Sequence, residues 1–89
     1  MAEQDLRNQL NQLHEELESA KNLPTEERDM LGHLMTDMVK IAQGDELPEE
    51  HHATLRERLE QKESEFELDH PRLAGVIRHI LDSLNRMGI

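Results

Sequence analysis

The proline and glycine residues of this 89-residue chain divide it into four segments, and this division constrains the fold more than any other feature. The breaks fall at Leu23-Pro24, at Gly44 to Pro48 and at His70-Pro71. Proline ends helices and glycine commonly follows their last residue, so each break separates two regular elements. No segment alternates polar and apolar residues with a period of two. The sequence therefore predicts helices and no strands.

Apolar residues recur at helical spacing in all four segments, which predicts helices over about residues 3–22, 25–43, 48–68 and 70–87. The first helix carries a narrow stripe with alternating steps of four and three residues, as in a coiled coil, and the third carries a sparse one. The second and fourth carry apolar residues over roughly half of the helix circumference. We predict an all-α fold, a single-domain antiparallel bundle of four helices. The two wide stripes place the second and fourth helices at the centre, with the others against them.

A bundle of this size leaves apolar surface to be covered from outside. A single chain of such length buries only about 60% of its unfolded surface. We predict that the wide stripes associate with a second copy or with another protein, and a homodimer is slightly favoured over a monomer. The residues predicted for this interaction are Met30, Met35, Met38, Ile77, Ile80, Leu81 and Leu84. For the three methionines, ordinary core packing is favoured over a partner groove.

Composition excludes several classes of protein. Twenty Asp and Glu against ten Lys and Arg give a formal net charge of −10, and Cys, Trp and Tyr are absent. Without cysteine there is no disulfide scaffold and no cysteine-based metal site. The acidic balance repels nucleic acid and anionic membranes. No apolar run approaches a membrane span, and the first residues do not resemble a signal peptide. We expect a bacterial-type cytoplasmic protein that binds neither nucleic acid nor membranes.

The six histidines raise the question of a metal site. Glu49 and His52 have the Glu-x-x-His spacing of di-iron bundles, but that chemistry needs a second such pair, which the sequence lacks. His33 and Asp37 lie one helical turn apart and make at most a weak surface site. We predict no metal and no cofactor. The alternative hypothesis is a metal- or pH-responsive regulator that uses His33, His51, His52 and nearby acids.

Other candidate features are an acidic run and two glycines. The run Glu57 to Asp69 is interpreted as a solvated helix face, or alternatively as a phosphate mimic that makes the chain an acidic decoy for a basic nucleic-acid-binding protein. Gly32 and Gly75 lie inside predicted helices, where each costs roughly 1 kcal/mol against alanine. They permit close approach of another backbone or are merely tolerated near helix starts, and we prefer the second interpretation. No phosphate-binding loop or catalytic triad is present, which predicts that the chain is not an enzyme.

Several local sequences together resemble one protein family. They are Leu6, Leu10 and Leu13-His14-Glu15-Glu16-Leu17 near the start, and His70-Pro71, Leu73, Ile77, Ile80, Leu84 and Met87-Gly88-Ile89 at the end. The His-Pro helix start and the Met-Gly-Ile ending are the most specific of these. The chain resembles the bacterial family known as domain of unknown function 4404 over essentially its whole length. The resemblance implies a short, acidic, all-helical protein, and it implies no catalytic or binding residues.

Overall fold

The computed structural model describes residues 2–45 and 48–89, and over these it contains four α-helices and no strands. The helices are α1 (Ala2–Ser19), α2 (Thr25–Ala42), α3 (Glu49–Asp69) and α4 (Pro71–Arg86). The predicted all-α fold is confirmed. Glu46 and Leu47, which belong to the second predicted break, lie outside the described residues. None of the described helices is long and apolar enough to cross a membrane.

The first helix is shorter than the sequence indicated, because α1 ends at Ser19 and not near residue 22. Asn22 has a φ of 61°, in the left-handed region that asparagine tolerates better than most residues. This residue turns the chain so that the side chain of Leu23 is buried in the core. The turn between α1 and α2 therefore uses residues that the periodicity assigned to the helix.

A glycine lies two residues after the last residue of α2 and of α4. Gly44 and Gly88 have φ values of 88° and 81°, which only glycine adopts without strain. After α4, the amide of Ile89 donates to the carbonyl of Leu84 at 2.9 Å, the long hydrogen bond of a Schellman motif. The Met-Gly-Ile ending of the sequence forms this motif, which packs Ile89 partly against the core.

Successive helices run antiparallel around a square. Helix α1 packs between α2 and α4, and α3 packs mainly against α4, with a looser seam to α2. The hydroxyl of Ser83 donates to the amide oxygen of Gln9 at 2.7 Å, which joins the last part of α4 to the first half of α1. No Cα atom of α2 lies within 8 Å of one in α4, so these two helices occupy opposite corners. The predicted central pair of α2 and α4 is therefore wrong, because short connections place each helix beside its neighbours along the chain.

One continuous apolar core fills the square, and all four helices contribute to it. The wide stripes of α2 and α4 point inward from opposite corners, so α1 and α3 cover most of their apolar surface within the same chain. Only three large apolar side chains among the described residues are exposed, namely Met30, Val39 and Leu68. The buried apolar residues are Leu6, Leu10, Leu13, Leu17, Leu23, Leu31, Leu34, Met38, Ile41, Ala42, Leu55, Leu59, Phe66, Leu73, Ala74, Ile77, Ile80, Leu81 and Leu84.

Two arginines bind the carbonyl ends of each other's helices. The guanidinium of Arg28 in α2 donates to the carbonyls of Leu17 and Ala20 at 2.6 Å each. Arg7 in α1 donates to the carbonyl of Ala42 at 3.2 Å. The last carbonyls of a helix have no partner within it, and α1 has no basic residue in its own last turn. Each arginine therefore satisfies carbonyls and places a positive charge at the negative end of the other helix.

Replacing Arg28 should destabilise the chain more than replacing an arginine that makes no such contact. We expect Arg28→Met to lower the free energy of unfolding by about 1–2 kcal/mol, since two charge-assisted hydrogen bonds are lost. Urea denaturation followed by circular dichroism measures this value. Arg58→Met, at an exposed position of α3, is the matched control and should change stability by less than about 0.5 kcal/mol. Equal effects of the two substitutions would contradict the capping role.

Lys62 is a charged residue buried on the inner side of α3, at the seam with α2. Its ammonium lies 2.7 Å from the Glu27 carboxylate of α2 and 2.9 Å from the carboxylate of Glu65, so it pairs with two carboxylates. Burial is the largest single influence on the pKa of Lys62 and lowers it. Hydrogen bonding and attraction by Glu27 and Glu65 together outweigh burial, and the pKa of Lys62 lies above its usual 10.5. Lys62 therefore occupies a core position of α3 and has an ionic partner on α2.

This raised pKa predicts how stability depends on alkaline pH. The stabilisation from charged Lys62 is complete below the pKa of an unfolded lysine and is lost as the pH rises through the higher pKa of the folded chain. We expect the free energy of unfolding to fall above about pH 10.5, and Lys62→Met to reduce this fall. Lys21→Met, outside the helices and exposed, should retain it. The chain has no Cys or Tyr, so few other groups titrate in this range.

Candidate protein-interaction surface

The residues predicted for association do not form one surface. Met38, Ile77, Ile80 and Leu84 are completely buried, and Leu81 is nearly so, as parts of the core. A partner cannot reach these side chains while the chain is folded. Of the seven predicted residues, the two that reach solvent are Met30, which is 36% exposed, and Met35, which is half-buried. They are five residues apart and so lie about 140° apart around α2, too far to belong to one patch.

The histidines do not assemble a metal centre in the part of the chain that the structure describes. No three His, Asp or Glu side chains there come close enough to hold an ion. Asp37 and His51 do line the same depression between α2 and α3, but Arg58 lines it too, and its charge disfavours a cation. His14 instead pairs with Glu18 of its own helix at 2.9 Å, at an exposed position. His33 is exposed and His52 half-buried.

A groove between α1 and α4 brings together charged side chains of both signs, a glycine and a partly buried valine. Two adjoining depressions run along it and share Glu16 and Arg72. We call it the α1–α4 groove and define it by six residues, namely Glu15, Glu16, Arg72, Gly75, Val76 and His79. The α1 wall carries two carboxylates, whereas the α4 wall carries an arginine and a histidine. Sequence reasoning missed this groove, although it singled out Gly75.

Arg72 occupies an electrostatically unfavourable position. It lies in the first turn of α4, where the helix dipole favours negative charge, and α4 has no acidic residue in this turn. Among the described residues, no carboxylate oxygen lies within 4 Å of its guanidinium. The other arginines of α4 have such neighbours, since Arg78 lies 2.9 Å from Glu63 and Arg86 lies 3.7 Å from Asp5. Among the described residues, Arg72 therefore has no direct ionic partner, although Glu16 and Asp69 line the same depression.

Gly75 is the second unfavourable residue of the groove. A Cβ atom at this position would meet no atom within 4 Å, so packing within the chain does not require a glycine. The same is true of Gly32 on α2, which lies outside the α1–α4 groove. Glycine inside a helix costs roughly 0.5–1 kcal/mol relative to alanine. Both glycines thus lower the stability of the chain without a packing reason inside it.

Alanine should therefore stabilise the chain at both glycine positions. We expect Gly75→Ala and Gly32→Ala each to raise the free energy of unfolding by about 0.5–1 kcal/mol, because the helix gains propensity and no atom is displaced. Urea denaturation of the two variants beside the unchanged chain measures the gain. Destabilisation by Gly75→Ala would mean that the space beside α4 is already filled.

Comparisons with known proteins identify one family. The model described as "Domain of unknown function (DUF4404)" matches residues 6–89, which is nearly the whole chain and includes all of the α1–α4 groove. The resemblance read from the sequence is thus confirmed. No curated protein and no solved structure matches the chain.

Proposed function

We propose that this chain, which belongs to the DUF4404 family, is a non-enzymatic protein that acts by associating with protein through its α1–α4 groove. One observation carries the proposal: Arg72 and Gly75 are each unfavourable where they stand, and they lie one helical turn apart on the same groove. Natural sequences depart from local structural rules chiefly at functional positions. A protein partner supplies both a carboxylate for the arginine and a surface that fits beside the glycine.

The character of the groove supports a protein as the partner. It is an open depression lined by charged and polar side chains around the partly buried Val76. Mixed polar and apolar lining of this kind is typical of non-obligate protein interfaces. Small-molecule pockets are more concave and mostly apolar. The net charge of −10 also disfavours nucleic acid as the partner.

Three hydroxyl groups in the described part make structural hydrogen bonds, which agrees with a non-enzymatic role. Thr36 and Thr54 donate to backbone carbonyls of their own helices, and Ser83 donates to Gln9. A nucleophilic hydroxyl needs a base that accepts its proton, and a carbonyl or amide oxygen is not one. These three hydroxyls therefore act as structural donors.

The acidic decoy hypothesis is the second candidate, and an exposed apolar residue favours it. The outer side of α3 exposes Glu57, Glu60 and Glu67. Leu68 lies beside these acids and is 91% exposed, the highest value among the large apolar side chains described. Acidic residues around an exposed leucine suit a basic partner with an apolar contact. This face lies on a different side of the bundle from the α1–α4 groove.

Site-specific photocrosslinking distinguishes the two faces. Gln12 and His79 are exposed and line the depression of the α1–α4 groove. We expect a photoreactive amino acid at either position to give one discrete covalent adduct in cells of the organism that naturally produces the protein. The same amino acid at Ser64, on the outer side of α3, is the matched control and should give none. Adducts from Ser64 alone would favour the acidic decoy, and no adduct from either groove position would contradict the proposed function.

A further inference from the structure

We infer that the occupant of the α1–α4 groove is the same groove of a second copy of this chain. This assignment rests on the proposed function and names its partner. The two walls of the groove carry opposite charge: Glu15 and Glu16 lie on α1, whereas Arg72 lies on α4. When a two-fold axis relates two copies, the α1 wall of each copy can face the α4 wall of the other. The acidic wall of each copy then faces the basic wall of the other.

The register of α1 against α4 brings these charges together. The Gln9–Ser83 hydrogen bond sets the relative height of the two antiparallel helices and places Glu16 at about the level of Val76. Arg72 lies one turn closer to the N-terminus of α4, roughly 6 Å away along the helix axis. A two-fold axis that passes close to Gly75 therefore places Arg72 of each copy beside the two carboxylates of the other, within the reach of an arginine side chain.

Gly75 lies where the two copies come closest. The distance between packed helices depends on the side chains at their contact, and it is smallest when those are small. The open space beside Gly75 has room for the facing helix of the second copy. This contact explains the glycine, which packing within one chain does not. Arg72 likewise gains the carboxylates that its own chain does not place within 4 Å.

The charge distribution favours a second copy over a partner of one sign. A uniformly basic partner would meet Arg72, and a uniformly acidic one would meet Glu15 and Glu16, whereas a copy of the groove complements both walls. Copies that each carry a net charge of −10 also repel one another. Contact through α4 reduces this cost, because its three arginines outnumber its single acid, Asp82.

Charge reversal tests the exchanged walls. Sedimentation equilibrium of the full chain at neutral pH should show a reversible dimer. Arg72→Glu and Glu16→Arg should each weaken it by roughly tenfold or more, because each opposes like charges across the axis. The double variant Arg72→Glu/Glu16→Arg re-forms an opposite-charge pair on each side of the axis, while Glu15 stays acidic, and should restore most of the lost affinity. A dimer that neither single change weakens, or that the double change does not restore, would overturn the inference.

A pair of glycine substitutions tests the contact at the axis. Gly75→Leu should abolish the dimer by filling the groove, whereas Gly32→Leu, at a position with equal space on α2, should leave it intact. Circular dichroism checks that both variants remain folded. Weak protein interfaces form at concentrations on the order of 0.1 mM. If the chain is still monomeric at such a concentration, the inference that a second copy is the partner is overturned. The proposed function would survive that result if the groove crosslinks to another protein, and it would fail only if no adduct forms.

Discussion

The whole structure depends on one constraint: the apolar stripes of four helices, which differ in width, have to be buried against one another. Only 35% of the residues are apolar, so most of the apolar surface has to be buried in the core. A square of antiparallel helices achieves this, since each helix has two neighbours and points its stripe at the common centre. The wide stripe of α4 lies against both α1 and α3. The seam between α2 and α3 is the loosest, and there a buried lysine joins two carboxylates in place of apolar packing.

The positions of the helices could be predicted because their signals are local. Proline and glycine mark the breaks, and Gly88 with Ile89 and Leu84 already indicates a Schellman ending in the sequence. The corners of the square could not be predicted in this way. A wide stripe shows that a helix is covered from several directions, but it does not show by which helices. The expected α2–α4 pair followed from stripe width alone, whereas the short connections decide which helices are adjacent.

The side chains that join helices escape prediction for a related reason. Arg7 and Arg28 bind backbone carbonyls, which are present at every residue and leave no mark in a sequence. Lys62 could be recognised as a polar residue on an apolar stripe, but its partner Glu27 is one of many glutamates. Of the α1–α4 groove, Gly75 could be noticed as a glycine inside a helix. The significance of Arg72 depends on which carboxylates the fold brings near it, and only the tertiary structure settles that.

Burial of the wide stripes also changes what kind of association this chain can have. If Ile77, Ile80 and Leu84 needed a partner for cover, folding and association would be a single event, and stability would depend on protein concentration. The square covers them within one chain. The interface proposed at the α1–α4 groove would join units that are already folded, through two exchanged charge pairs and a close helix contact. Such an interface is smaller and more polar than an obligate one, and its strength responds to salt and concentration while the bundle stays intact.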